Sequence, residues 1–146
     1  MTYLEFKESC KQWLFDFGNY SEARVELLAM LCAHESLGGR YRKQVNGPAL
    51  SIYQVEKIAH DDAWNRHRSI KMRAMQSGVV QDWPLMEHSD KYATFVAMHI
   101  IALDPNPIPT EPEQMAQWCK KHWNKGGKAT PEKYLNDYTK WINGKL

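Results

Sequence analysis

The chain has 146 residues, 43% of them hydrophobic and 12% aromatic, and a formal net charge of +2. That length and apolar content suffice for one buried core, which excludes a disordered chain and points to a single domain over residues 1–146. The near balance of charge carries no nucleic-acid signal of its own, and three widely spaced cysteines (Cys10, Cys32 and Cys119) exclude a disulfide framework or a zinc knuckle.

Residues Met1 to Trp13 form neither a basic leader nor an apolar stretch, and no run approaches about 18 apolar residues. No signal peptide and no membrane span are expected, and the chain should be made in the cytoplasm. Helical periodicity dominates the rest. Phe6, Cys10, Trp13, Leu14 and Phe17 recur at i, i+4, i+7, i+8 and i+11, which predicts a first amphipathic helix closed by Gly18-Asn19. Ser21 can cap a second helix that runs to about Leu37 and stops at Gly38-Gly39. Residues 40–48 are polar, and the apolar run 49–53 fits either a short strand or an extended loop. A third helix is expected from Glu56 to about His67, with shorter helical patterns over 70–75 and 90–103. Thr110 and Glu113 have capping-box spacing for a helix through His122. Thr130-Pro131-Glu132 places cap, proline and acid in the order that opens a last helix, ending near Gly144. Proline and glycine fall in loops at 104–109 and 124–129, and the fold class predicted is all-α. The densest positive patch, Arg66, His67, Arg68, Lys71 and Arg73, reads first as a solvated helix face. Docking of an anionic polymer is its functional alternative.

Glu35 is the most informative residue. Val25, Leu28, Cys32 and Glu35 share one face of the second helix, so a carboxylate ends a stripe that otherwise enters the core. Partial burial disfavours the ionised form and raises the carboxyl pKa, as a general acid at neutral pH requires. Gly38-Gly39 behind it would leave room for a ligand. A helix-terminal glutamate that merely reaches solvent has the same spacing, and position alone does not separate the two.

The surrounding segments carry a resemblance. Ala33-His34-Glu35-Ser36-Leu37-Gly38-Gly39, followed by Asn46-Gly47-Pro48-Ala49-Leu50-Ser51-Ile52-Tyr53-Gln54-Val55-Glu56, resembles the signature of the lysozyme-like superfamily, which includes lytic transglycosylases and goose-type lysozymes. The likeness is closer to small phage-encoded lysozyme-like proteins. His60-Asp61-Asp62-Ala63-Trp64 resembles their His-x-Asp-x-Trp element, Asp104 to Pro109 their Pro-rich turn, and His122 to Thr130 their Tyr-Asn-Thr…Gly-Lys-Ala-Thr segment. These matches run in order from Glu22 to Tyr138. The resemblance implies a lysozyme-like fold and cleavage of the β-1,4 bond between N-acetylmuramic acid and N-acetylglucosamine, with no cofactor. Glu35 would protonate the glycosidic oxygen. Ser36 and Gln54 would contact the substrate, Tyr53 and Trp123 would give apolar or stacking surface, and Asn124 a polar contact. The partners implied are peptidoglycan strands, reached by holin-type release in host lysis, or by a virion component, beside other virion proteins, during DNA entry. Two departures stand out: Ser51 where glycine is usual, and Trp123 where tyrosine is common. They support the alternative of a non-catalytic virion or wall-binding module.

Hydrolysis by inversion or retention uses two carboxylates, about 6.5–9.5 Å or about 5–5.5 Å apart. Glu56, Asp61 and Asp62 are candidates for the second, although Glu56 and His60, four apart on a helix, are expected to pair with each other or close a helix end rather than face the substrate. A lytic transglycosylase, by the same resemblance, needs one carboxyl group, acting as acid and then as base toward the sugar's 6-hydroxyl. The lack of an obvious second acid leans that way. His34, Glu35, Glu56, His60 and Asp62 can be drawn as a metal site, but no HExxH pair exists and adjacent helical residues point about 100° apart. No metal is expected, and His34 reads as a packed residue beside the acid.

Overall fold

In the computed structural model, which describes residues 1–146, the chain forms eight α-helices and one π-helical turn, with no strand. Helix α1 (Tyr3–Asp16) opens on a reciprocal capping box: Thr2 Oγ1 accepts from Glu5 N at 3.1 Å and Glu5 Oε1 accepts from Thr2 N at 2.9 Å. Helix α2 (Glu22–Glu35) is capped by Ser21, whose Oγ accepts from Arg24 N at 3.1 Å. Next come α3 (Lys57–Arg66), α4 (Arg68–Ser77) and the short α5 (Leu85–His88). Helix α6 (Asp90–Ile101) is capped by Ser89, α7 (Pro112–Trp118) runs on into the π-turn Cys119–Trp123, and α8 (Pro131–Ile142) is capped by Thr130. No helix is long and apolar enough to cross a membrane.

The centre of the molecule is α2. The expected stripe is only part of its buried surface: Val25 and every residue from Leu27 to Ala33 are buried. A helix apolar on all sides belongs inside a core, and α2 packs against α1, α6, α7 and α8. The buried apolar side chains form one continuous cluster around it. One polar group near its start is fully engaged. Glu26 accepts from Tyr3 Oη at 2.5 Å and Tyr138 Oη at 2.6 Å and pairs with Lys7 at 3.3 Å, so it ties α1, α2 and α8 together. Burial and this carboxylate push the Tyr3 hydroxyl up to about 12.

Several expectations need correction. The pattern over 70–75 belongs to a longer helix, α4; the helix expected from Glu56 to about His67 is found as α3, and an extended His67 (ψ 110°) separates the two. The basic run is therefore split between two helices. Arg66 pairs with Asp62 at 2.9 Å, and Arg73 donates to Phe17 O at 3.2 Å, leaving Arg68 and Lys71 exposed. Thr110 does not cap α7. Pro112, with φ fixed by its ring, takes the first helical position and makes Glu111 the capping residue. Residues 49–53 form no strand; single bridges Lys43–Leu50 and Leu50–Val55 flank a tight turn over 51–54.

Nor does Gly38-Gly39 leave room for a ligand. Leu37, Gly38 and Gly39 have φ of 52°, 71° and 88°, and a Cβ on Gly38 would lie 2.6 Å from Trp141 Nε1. The glycine admits the Trp141 ring, which locks α8 against the end of α2. Beyond it, Arg42 spans from Gly39 O to a bidentate pair with Asp90 at 2.9 and 2.8 Å, which fixes the 40–48 loop to the start of α6. Gly18, by contrast, has φ 69° with nothing near its missing Cβ. Gly18→Ala should therefore cost only the left-handed backbone penalty, about 1–2 kcal/mol, and Gly38→Ala about 2–4 kcal/mol because overpacking is added. Urea unfolding of both variants checks this; equal losses would mean that Trp141 gives way freely.

Candidate active site

The C-terminal end of α2 opens into a cleft of about 740 Å³. Glu35, the last residue of α2, forms its floor together with Gln54 and Val55 from the 51–54 turn, the start of α3, and residues 122–126 after the π-turn. The 40–48 loop, held by Arg42, supplies the opposite lip through Tyr41 and Val45.

Glu35 is partly buried, and its two oxygens differ. Oε2 accepts a 2.5 Å hydrogen bond from Tyr134 Oη, whereas Oε1 makes no hydrogen bond within the protein and is not sealed from solvent. Burial raises the carboxyl pKa above its ordinary range; the Tyr134 hydrogen bond and the neighbouring His34 pull it part of the way back. The position at a helix C-terminus acts in the same direction as burial, because unpaired carbonyls there disfavour a negative charge. The Tyr134 hydroxyl is itself pushed far up by burial and by the Glu35 charge, so it remains a donor.

The cleft presents complementary polar groups beside this acid. Gln54 Nε2 donates to Ser51 O at 2.8 Å, which leaves its Oε1 as a free acceptor. Asn124 Oδ1 accepts from Lys120 at 3.3 Å, which leaves its Nδ2 as a free donor. The Trp123 indole lines the cleft with its N–H bound to Tyr53 O at 3.2 Å, so the ring joins the π-turn to the 51–54 turn. Such a set suits a polar ligand with a flat or ring-shaped face: one acid, one acceptor, one donor and an aromatic wall.

Gln54, Trp123 and Asn124 thus line the same cleft as Glu35. Ser36 and Tyr53 do not line the cleft, and both expectations are corrected. The Ser36 side chain is fully buried, donating to Cys32 O at 3.1 Å and accepting from Gly39 N at 2.9 Å, so it shapes the end of α2. Tyr53 is fully buried with its hydroxyl on Thr94 Oγ1 at 2.7 Å, because the turn sends 53 inward and 54 outward. That turn has Ser51 at φ 81° and Gln54 at φ 50°. Ser51 holds a conformation that favours glycine, secured by its Oγ accepting from Tyr53 N at 3.1 Å.

Among the other candidates, Glu56 immediately precedes α3 without a side-chain capping bond and lies exposed at the edge of the cleft without an ion pair. It does not pair with His60. Tyr92 Oη accepts from Trp64 Nε1 and Asp82 N at 3.2 and 2.9 Å, so its proton goes to His60 Nε2 at 2.8 Å, and His60 Nδ1 donates to Asp61 at 2.8 Å. The His60–Trp64 segment is therefore a lock between α3 and α6. Asp62 is held by Arg66 outside the cleft, and Asp61 also binds Lys57 at 2.7 Å. His34 stands behind the acid, bound to Asp137 at 2.8 Å. Tyr134 and Asp137 were not foreseen; only their core-facing spacing on α8 marks them. Comparison with protein-family models, curated protein sequences and solved structures gave no match to this chain.

Because the folded state raises the Glu35 pKa, it binds that proton more tightly than the unfolded chain does. The wild type therefore loses stability as pH rises from the ordinary glutamate range through the raised folded value. The Tm of Glu35→Gln minus that of the wild type should grow between pH 4 and pH 7. A constant difference across that range would show that burial does not tax the Glu35 charge.

Proposed function

We propose that this chain cleaves the β-1,4 bond between N-acetylmuramic acid and N-acetylglucosamine in peptidoglycan, with Glu35 as general acid and then base. The observation that carries this reading is the Glu35 carboxyl itself: raised in pKa, held on one oxygen by Tyr134 and open on the other toward a cleft. Its support is that Gln54, Trp123 and Asn124, three of the five substrate-contacting residues implied by the resemblance to phage lysozyme-like proteins, line the same cleft.

With Oε2 occupied by the tyrosine, the acid proton is carried on Oε1 and passes to the glycosidic oxygen as the bond to the anomeric carbon breaks. The carboxylate left behind keeps the Tyr134 hydrogen bond, which stabilises the charge just formed. In a lytic transglycosylase it then takes the proton of the sugar's 6-hydroxyl, whose oxygen closes on the anomeric carbon to give a 1,6-anhydro end. That is the preferred chemistry, since a single carboxyl group suffices. One observation favours a hydrolytic second reading: Glu56 lies unpaired at the edge of the same cleft and is the one further carboxylate there. By the resemblance to phage lysozyme-like proteins, the activity would serve host lysis or wall penetration during DNA entry.

Digestion of purified peptidoglycan, with products read by mass spectrometry, tests the proposal. Glu35→Gln should lower turnover by about 10²–10⁴-fold, the usual worth of a positioned acid. Anhydro ends unaffected by Glu56→Gln mark the transglycosylase; reducing ends that disappear in Glu56→Gln mark the hydrolase. A silent wild type, or a Glu35→Gln variant as active as the wild type, would sink the reading and leave a non-catalytic wall-binding module.

A further inference from the structure

We propose that Asp137, which touches nothing in the cleft, is a positioning residue: together with His34 it holds the Tyr134 ring so that the hydroxyl stays on Glu35. That this matters for catalysis rests on the peptidoglycan reading; that it governs the protonation of Glu35 does not.

Two braces join the end of α2 to the first turns of α8. One is Tyr134 Oη to Glu35 Oε2 at 2.5 Å. The other is His34 Nδ1 to Asp137 Oδ2 at 2.8 Å, in which the imidazole must be the donor because a carboxylate only accepts. The two are mechanically linked. His34 and Glu35 are consecutive, Tyr134 and Asp137 are i and i+3 on one helix face, and the His34 ring lies against the Tyr134 ring with centroids 4.1 Å apart. Asp137 is 2% exposed and its second oxygen takes Lys133 Nζ at 3.1 Å, so both oxygens are committed. A buried carboxylate is a poor source of stability compared with an apolar side chain of similar volume, whereas it fixes the direction of its partners. Here the partner it directs is the imidazole that flanks the tyrosine.

The charged and titratable groups around Glu35 are Tyr134 from α8, His34 from α2, Cys119 and His122 from the π-turn, Lys125 beyond it and Glu56 from the edge of α3. Against that background Asp137 could act in two ways, and they differ in sign. As a distant negative charge it would disfavour ionised Glu35, so its removal would lower the Glu35 pKa. As a brace it keeps a donor on the carboxylate, so its removal would raise that pKa.

Carboxyl ¹³C NMR of Glu35 in the full chain separates them. Asp137→Asn should move the Glu35 titration upward, and Tyr134→Phe should move it at least as far. Asp137→Asn added to Tyr134→Phe should give no further rise, because the brace then has nothing to hold. His34→Leu and His34→Asn both remove the imidazole, but the asparagine amide can still donate to Asp137, so Leu should raise the titration further than Asn. This pair also serves if Asp137→Asn fails to fold. With peptidoglycan as substrate, Asp137→Asn should lose about tenfold in kcat, the scale of one hydrogen bond to a charged group, with KM little changed. A downward shift in Asp137→Asn, equal upward shifts with and without the Tyr134 hydroxyl, or identical titrations in His34→Leu and His34→Asn would overturn the proposal. A silent wild type would instead sink the peptidoglycan reading and leave the titration result standing.

Discussion

Where α2 ends decides what the cleft can do. The helix is apolar on nearly every side, so it must lie at the centre, and its last carbonyls and the Glu35 carboxylate arrive together where the core opens into the cleft. Two negative features then share a poorly solvated site. The structure offsets this with a single tyrosine hydroxyl rather than a cation, which leaves the acid raised in pKa but ordered. A lysine or arginine there would give a more stable ion pair and a poorer acid.

A comparison within the same helix makes the point. Glu26, at the other end of α2, is also held by a tyrosine of α8, yet its oxygens take Tyr3, Tyr138 and Lys7 and none is left over. It joins three helices and can do nothing else. Glu35 has the same kind of partner, i and i+4 from Tyr138 along α8, but one oxygen free and a cleft in front of it. The two carboxylates differ by one unfilled hydrogen-bond position. The local costs also gather on the Glu35 side: Ser51 and Gln54 in left-handed conformations, a buried Asp137 and a carboxyl held above its ordinary pKa. Such costs persist where the surrounding structure over-determines them, and they are characteristic of sites rather than of cores.

Much of this was legible in the chain, and the remainder was not for definite reasons. Ser21 and Thr130 announced α2 and α8 because a capping side chain acts on its own next turn. Glu35 stood out because helical spacing carried it to the end of an apolar stripe. The break at His67 showed as the gap between two helical patterns, but the exact start of α4 left no mark, since that helix begins without a side-chain cap. Gly38 read as open space because nothing local announces that Trp141, more than a hundred residues later, fills it. Gln54 lines the cleft and Tyr53 does not: both sit at the expected turn, but the positive φ values that turn one in and the other out belong to the folded loop. Tyr134 and Asp137 were beyond reach for the same reason as Trp141. Their partners lie on α2, and pairing at that separation leaves no periodicity to read.

The peptidoglycan reading also draws on the two helix ends that face the cleft. Glycosidic cleavage develops positive charge at the anomeric carbon while the leaving oxygen takes a proton. The C-terminal end of α2 presents negative partial charge at Glu35, and the N-terminal end of α3 presents positive partial charge at Glu56. On that reading the α2 end has two effects on one reaction. Before bond cleavage it keeps the Glu35 proton available, and during cleavage it faces the developing cation with carbonyl dipoles that need no reorganisation. Glu56, exposed and unpaired, costs the fold little to hold, whereas Glu35 is costly and braced. On the peptidoglycan reading, the step that demands a tuned proton would belong to Glu35 whether the nucleophile is water or the sugar's own hydroxyl, and the choice between those two would fall to what occupies the space before Glu56.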